Sequence, residues 1–344
     1  MTKNLLERLL EERDWLLADG ATGTNMFALG LPNGEAPDLW NLQEPEKVRQ
    51  HYRNMIEASA DIVLTNSFGG TRNRLKLHEA QDQAYEINRR AAELLSEEIA
   101  ASGREVVSAG SVGPTGDLMV PLGPLTHEDA VDAFAEQMRG LKDGGADVVW
   151  VETMSAPEEL AAALEAADQV GIKACCTLSF DTNGRTMMGV TPQDLVGLAH
   201  KTSPGPLAFG GNCGTGASDL MAAIINMRDS KGPTDVLIAK ANCGIPSYQD
   251  GKIVYSGTPE LMAKYAVMAR DAGARIIGGC CGTTPAHLKV MRQALEASER
   301  GDCPNLEQII AELGPLTGVL PGGDDGDAPK RGERRGRRRR EARA

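Results

Sequence analysis

Seven cysteines are spread along the 344 residues, and three of them sit in glycine-rich settings that suit metal chemistry. Cys213 lies in Gly210-Gly211-Asn212-Cys213-Gly214-Thr215-Gly216. Cys280 and Cys281 lie in Gly278-Gly279-Cys280-Cys281-Gly282-Thr283-Thr284-Pro285. Adjacent cysteines on a turn point in different directions, yet both reach one ion where the backbone bends through glycine. Three thiolates with one exchangeable position is the pattern of a catalytic zinc site, because a structural site is closed by a fourth protein ligand. No Cys-x-x-Cys pair occurs, which argues against a zinc ribbon. Cys175-Cys176 stands inside an apolar run and reads as core. A phosphate cradle at 210–216 would lack the Gly-Lys-Ser/Thr ending of a P-loop. A redox pair at 280–281 would need a strained disulfide between neighbours.

These thiols need elements to hold them. Short apolar or β-branched runs at 15–20, 61–68, 106–111, 147–153, 173–180, 207–213, 236–242 and 274–280 read as strands. Between and after them, amphipathic stretches at about 45–60, 79–102, 127–144, 156–170, 192–202, 217–229, 258–272 and 285–299 read as helices. Alternation of this kind implies a parallel sheet with helical crossovers. Eight units favour a closed (β/α)8 TIM barrel over an open doubly wound sheet. No Gly-x-Gly-x-x-Gly follows the first strand, which weakens a dinucleotide-binding version of the open sheet. In a parallel barrel the chemistry gathers at the C-terminal strand ends. Here those ends carry Asp19-Gly20, Thr65-Asn66-Ser67-Phe68, Glu152-Thr153, Asn212-Cys213, Asn242-Cys243 and Cys280-Cys281.

The formal charge of −12 hides two regimes. Residues 330–344 hold nine Lys/Arg and two Glu, so the remainder carries −19. An acidic body excludes nucleic-acid binding by the folded part. We expect a barrel domain over 1–315 and a disordered Gly/Asp-rich, then Arg-rich, tail over 316–344 that stays solvated. No apolar run approaches the roughly 18 residues of a membrane span. The charged N-terminus, Met1-Thr2-Lys3-Asn4-Leu5-Leu6-Glu7-Arg8, lacks the apolar centre of a signal peptide. With an odd cysteine count, this points to a reducing, cytoplasmic setting.

Gly-Gly-Cys-Cys-Gly-Thr-Thr-Pro at 278–285, Gly-Asn-Cys-Gly at 211–214, Leu-Ala-Asp-Gly-Ala-Thr-Gly-Thr at 17–24 and Ala-Asp-Ile-Val-Leu-Thr-Asn-Ser-Phe at 60–68 closely resemble the homocysteine S-methyltransferase family. The resemblance runs from about residue 15 to 300. It implies a zinc-containing (β/α)8 barrel with thiolate ligands at Cys213, Cys280 and Cys281. It further implies homocysteine contacts at Asp19, at the backbone of Gly20 and Ala21, and at Glu152. The carboxylates suit the substrate ammonium, and glycine-flanked N–H groups suit its carboxylate. By the same resemblance, Asn242 fills the fourth zinc position before substrate binds. Zinc would keep the homocysteine sulfur deprotonated, and the product would be methionine.

The donor is read from aromatic residues. A betaine-dependent enzyme needs ring faces around a quaternary ammonium. Trp40, in Ala36-Pro37-Asp38-Leu39-Trp40, resembles the tryptophan of that donor site, and Thr-Asn-Ser-Phe-Gly-Gly-Thr-Arg at 65–72 resembles bacterial betaine–homocysteine methyltransferases. Gly69 and Thr153 depart from the animal betaine pattern, which has tyrosines there. Phe68 and Phe180 are the candidate replacements. S-methylmethionine or another sulfonium is the alternative donor, as is a methylated corrinoid carried by a separate protein. The competing class is a non-catalytic zinc-binding scaffold. Storage of zinc would not require Asp19 and Glu152.

Overall fold

The computed structural model describes residues 3–244, 246–249 and 252–317. Eight parallel strands form one sheet: β1 (Leu16–Leu17), β2 (Ile62–Leu64), β3 (Val107–Val112), β4 (Val148–Met154), β5 (Ala174–Leu178), β6 (Ala208–Cys213), β7 (Leu237–Ala241) and β10 (Ala274–Gly279). The order is β1-β10-β7-β6-β5-β4-β3-β2, and a bridge between Ala18 and Ile62 joins the two ends. The sheet is therefore a (β/α)8 barrel. The expected crossover helices are all present, the first as Pro45–Glu57 and the last as Pro285–Ala297. Helix starts follow the local chemistry: Thr126, Thr191 and Thr258 each accept a backbone N–H of the first turn.

Strand residues alternate between two apolar clusters, as a period of two requires. Leu16, Ala18, Ile62, Leu64, Trp150 and Cys175 fill the barrel interior. Leu17, Val63, Val149, Val151 and Cys176 face the helices. Both cysteines of the 175–176 pair are fully buried, and burial pushes both thiols up, Cys176 to about 12.

Several elements were not anticipated, among them short helical turns at Trp40–Gln43 and Arg72–Leu75. Helix α1 (Leu5–Glu12), started by an Asn4–Glu7 capping box, sends Leu6, Leu9 and Leu10 into the interior cluster. It plugs the end of the barrel away from the thiols. The helices Gly23–Ala28 and Leu306–Leu313 and a hairpin of β8 (Pro246–Gln249) with β9 (Lys252–Tyr255) were also missed. Residues 318–344, with most of the expected tail, lie outside the described residues. Thr317 at the last described position still donates to Asp219 through its N–H at 3.1 Å.

The seam between β1 and β2 has the fewest strand residues, and a side chain reinforces it. Buried Asp61 accepts the Leu17 N–H at 2.8 Å, Arg13 at 2.9 Å and Arg292 at 2.5 Å. One carboxylate thus joins β1, β2 and the last crossover helix. Removing it leaves the Leu17 N–H without its acceptor and takes the buried counter-charge from Arg292, which keeps only Ser59 O and the more distant Glu296. Asp61→Ala should cost about 3 kcal/mol, read as a drop in urea midpoint at unchanged slope.

Candidate active site

The three thiols meet at the C-terminal rim. Cys213 ends β6; Cys280 and Cys281 follow β10. Their sulfurs lie within 4.8 Å of one another, and Cys213 and Cys281 are 4.0 Å apart. Sulfurs at about 2.3 Å from a tetrahedral zinc would be about 3.8 Å apart, so the set fits a metal of that size with little movement. The backbone is shaped for this. Cys213 has a left-handed φ of 61°, followed by Gly214 at 77°, which turns its thiol toward β10. The Cys280 N–H donates to Ala241 O at 2.7 Å. Thiol–thiol hydrogen bonds pull the metal-free cysteines in opposite directions, and burial helps tip the balance upward. Cys213 is pushed up to about 11 and Cys281 to about 12. A divalent cation held there would have to displace these protons, because the thiolate is the ligand form.

Two asparagines hold the thiol loops. Asn242 donates to Gly214 O at 2.6 Å and accepts the Cys281 N–H at 3.0 Å. Its carboxamide therefore braces the loops, and the Cys281 N–H occupies one of the two lone pairs of its oxygen. Asn212 bonds Thr153 twice, at 2.9 and 2.7 Å, and reaches Cys280 Sγ at 3.7 Å. Thr153 itself has φ 61° where the β4–β5 register shifts. This bulge turns Glu152 inward.

The thiols open onto a cavity of about 490 Å³. Its floor holds Glu152 and Lys240, with Asp19 behind them. Glu152 accepts from Ser111 Oγ at 2.5 Å, and burial pushes its carboxyl up. Asp19 is fully buried. One of its oxygens takes Lys240 Nζ at 2.6 Å and the other the Leu64 N–H at 2.8 Å. Burial raises Asp19, while the Lys240 charge opposes the shift. Of the two expected backbone donors, the Ala21 N–H is taken by Thr283 O at 3.0 Å. Gly20 borders the cavity, and its N–H has no partner among the described residues. A Cβ at Gly20 would meet Thr283 O at 2.5 Å, so only glycine fits.

The outer cavity carries Phe27, Phe68 and Tyr255, with Glu35, Asp38, Arg74 and His78. The Tyr255 ring packs over Gly282 in the thiol loop. Gly69 donates to Asp38 at 2.9 Å, and a Cβ there would lie 3.0 Å from that carboxylate, so Asp38 occupies the space a side chain would need. Burial pushes Asp38 up to about 6. Trp40 is not brought to this cavity. It is 3% exposed in the outer core, with Lys47 Nζ 4.4 Å over its ring. Phe180 is likewise buried, next to Gly211.

The profile of the homocysteine S-methyltransferase family matches residues 16–295. The chain belongs to that family. It is 28% identical over 305 residues to the methionine synthase of Mycobacterium tuberculosis (strain ATCC 25618 / H37Rv), covering 83% of this chain and 25% of that one. To the Mycobacterium leprae (strain TN) enzyme it is 27% identical over 324 residues, covering 89% and 26%. The chain thus spans about a quarter of the length of these relatives. The homocysteine methyltransferase MmuM from Escherichia coli in its metallated form shares the fold at a TM-score of 0.71. It is 24% identical, with 86% of this chain and 100% of that chain covered. Among the described residues no helix is long and apolar enough to cross a membrane.

For this family member, sequence reasoning missed Lys240, Ser111 and Tyr255, and it placed Asn212 at the rim without its role as a brace. Lys240 had a visible signal: a lone lysine in the apolar run Leu237-Ile238-Ala239-Lys240-Ala241 needs a partner. Purified protein should bind about one divalent metal per chain. Cys213→Ser and Cys280→Ser should lose it by elemental analysis, while Cys175→Ser keeps it. Trp40→Ala should act on stability, lowering it by about 3 kcal/mol in thermal or urea unfolding, rather than selectively on one substrate.

Proposed function

We propose that this chain methylates homocysteine to methionine, with zinc at Cys213, Cys280 and Cys281 and betaine as the methyl donor. The observation that carries the reading is the convergence of three thiols at the wall of a cavity floored by Glu152. Zinc held there would keep the substrate sulfur as thiolate at neutral pH.

The chain's own groups bind and orient. Glu152 offers its second carboxylate oxygen to the substrate ammonium, and the Gly20 N–H can accompany the carboxylate. Asn212 and Asn242 keep the thiol loops in place. The homocysteine sulfur then attacks the donor's methyl carbon in line. The S–C bond forms as the C–N bond breaks, the electron pair stays on nitrogen, and dimethylglycine leaves as a tertiary amine. The thiolates give the inner cavity negative charge, which attracts a cationic donor. In the outer cavity Phe27, Phe68 and Tyr255 supply ring faces for a trimethylammonium group, in place of Trp40. Arg74 suits the donor's own carboxylate.

Zinc-loaded protein and homocysteine should be tested against betaine, S-methylmethionine and dimethylsulfoniopropionate. The expected result is methionine and dimethylglycine from betaine. Methionine from a sulfonium alone would replace the donor. No methionine from any of the three would sink the reading as a small-molecule methyltransferase and turn attention to a separate corrinoid protein.

A further inference from the structure

We infer that Lys240 is the residue that reads the carboxylate of the amino-acid substrate, a role that rests on the homocysteine reading above. Lys240 projects from β7 and is 2% exposed. An ammonium has three N–H donors. One goes to Asp19 at 2.6 Å; among the described residues no other hydrogen-bond partner exists, and the Trp150 ring lies 5.5 Å away. Donors left unmatched in a buried site are costly, so an anion is the natural complement. Lys240 borders the same cavity as Cys213, Cys280, Cys281 and Glu152.

Glu152 presents the opposite deficit. Ser111 satisfies one of its oxygens, and the other has no partner among the described residues. Lys240 and Glu152 form no ion pair with each other, although Glu152 helps to hold the Lys240 ammonium charged. A free acceptor and free donors at one cavity floor complement an α-amino acid head, with its ammonium on Glu152 and its carboxylate on Lys240. The Ala21 N–H is already taken by Thr283, which leaves room for a stronger carboxylate partner. Asp19 acquires a different part. Both its oxygens are engaged and it does not border the cavity, so it is a positioning residue that holds Lys240 in place. Substrate zwitterions are selected because each end meets its opposite charge.

The test measures binding by calorimetry, on the metal-loaded full chain, of three thiols. They are homocysteine, 3-mercaptopropylamine, which lacks the carboxylate, and 4-mercaptobutanoate, which lacks the ammonium. In the wild type each deletion should weaken binding roughly tenfold or more, as for a charge-assisted hydrogen bond. In Lys240→Met the carboxylate penalty should fall to near onefold while the ammonium penalty persists, and Lys240→Arg should restore part of the carboxylate preference. An unchanged carboxylate penalty in Lys240→Met at intact metal content would overturn the assignment and leave Lys240 as a counter-ion for Asp19. If Lys240→Met does not fold because it strands the Asp19 charge, the Asp19→Asn/Lys240→Met pair removes both charges, and the same comparison decides. Binding of no thiol at all by the wild type would overturn the homocysteine reading, and this assignment with it.

Discussion

Asn242 stands at the end of β7, between the strand that ends in Cys213 and the strand that leads into Cys280. Its carboxamide ties both loops together, donating to Gly214 O at 2.6 Å and accepting the Cys281 N–H at 3.0 Å. The loops come from strands that are not neighbours, and β7 is the only strand between them. A bridge at that point sets the distance between the sulfurs. It also holds the left-handed backbone at Cys213, a conformation costing on the order of 1–3 kcal/mol for a side chain other than glycine. Without the bridge, three protonated thiols in a partly buried pocket would have little reason to stay together.

The two ends of the barrel divide the work of stability and chemistry. Below, α1 closes the interior with leucines, and Asp61 locks the shortest seam. Above, the same strands end in polar residues that the interior could not accept singly. Lys240 illustrates this. Inside an apolar strand it survives because Asp19 meets it directly and Trp150 covers its flank. The low dielectric there strengthens that pairing and makes every remaining donor consequential. A site of this kind discriminates by charge, since a mismatched ligand leaves a buried group without its partner.

The outer cavity follows another logic. Gly69 and the space beside it are occupied by the Asp38 carboxylate, and Trp40, one short turn farther along, is folded away beneath Lys47. Ring faces reach the cavity from three other elements: Phe27 on the short helix after β1, Phe68 after β2, and Tyr255 at the end of the hairpin. A tryptophan near a rim loop in sequence is thus a weak guide to which rings line the outer cavity. Its ring can turn to either side of the loop, and burial of about 200 Å² of aromatic surface in the core is a strong competing pull.

Local sequence carried the strand and helix pattern, and with it the barrel. The alternation of apolar runs and amphipathic stretches is dictated residue by residue through side-chain periodicity. It also carried the three thiols, through their glycine-rich settings at strand ends, although Asn242-Cys243-Gly244 repeats the Asn-Cys-Gly pattern and its thiol turns instead to Gly257 O and His287. Helix α1 was not anticipated, although the Asn4–Glu7 box and the Leu6, Leu9 and Leu10 spacing signal it. What only the tertiary structure decided is which polar groups are already satisfied. Asp19, Glu152, Gly20 and Ala21 look equally available in the sequence. Folding brings Lys240 from 221 residues away onto Asp19 and Thr283 onto Ala21, leaving Glu152 and Gly20 open. Hydrogen-bond partners separated by most of the chain are set by strand order and register. No local pattern encodes them, so the difference between a carboxylate with an open oxygen and an internal counter-ion appears only when the barrel closes.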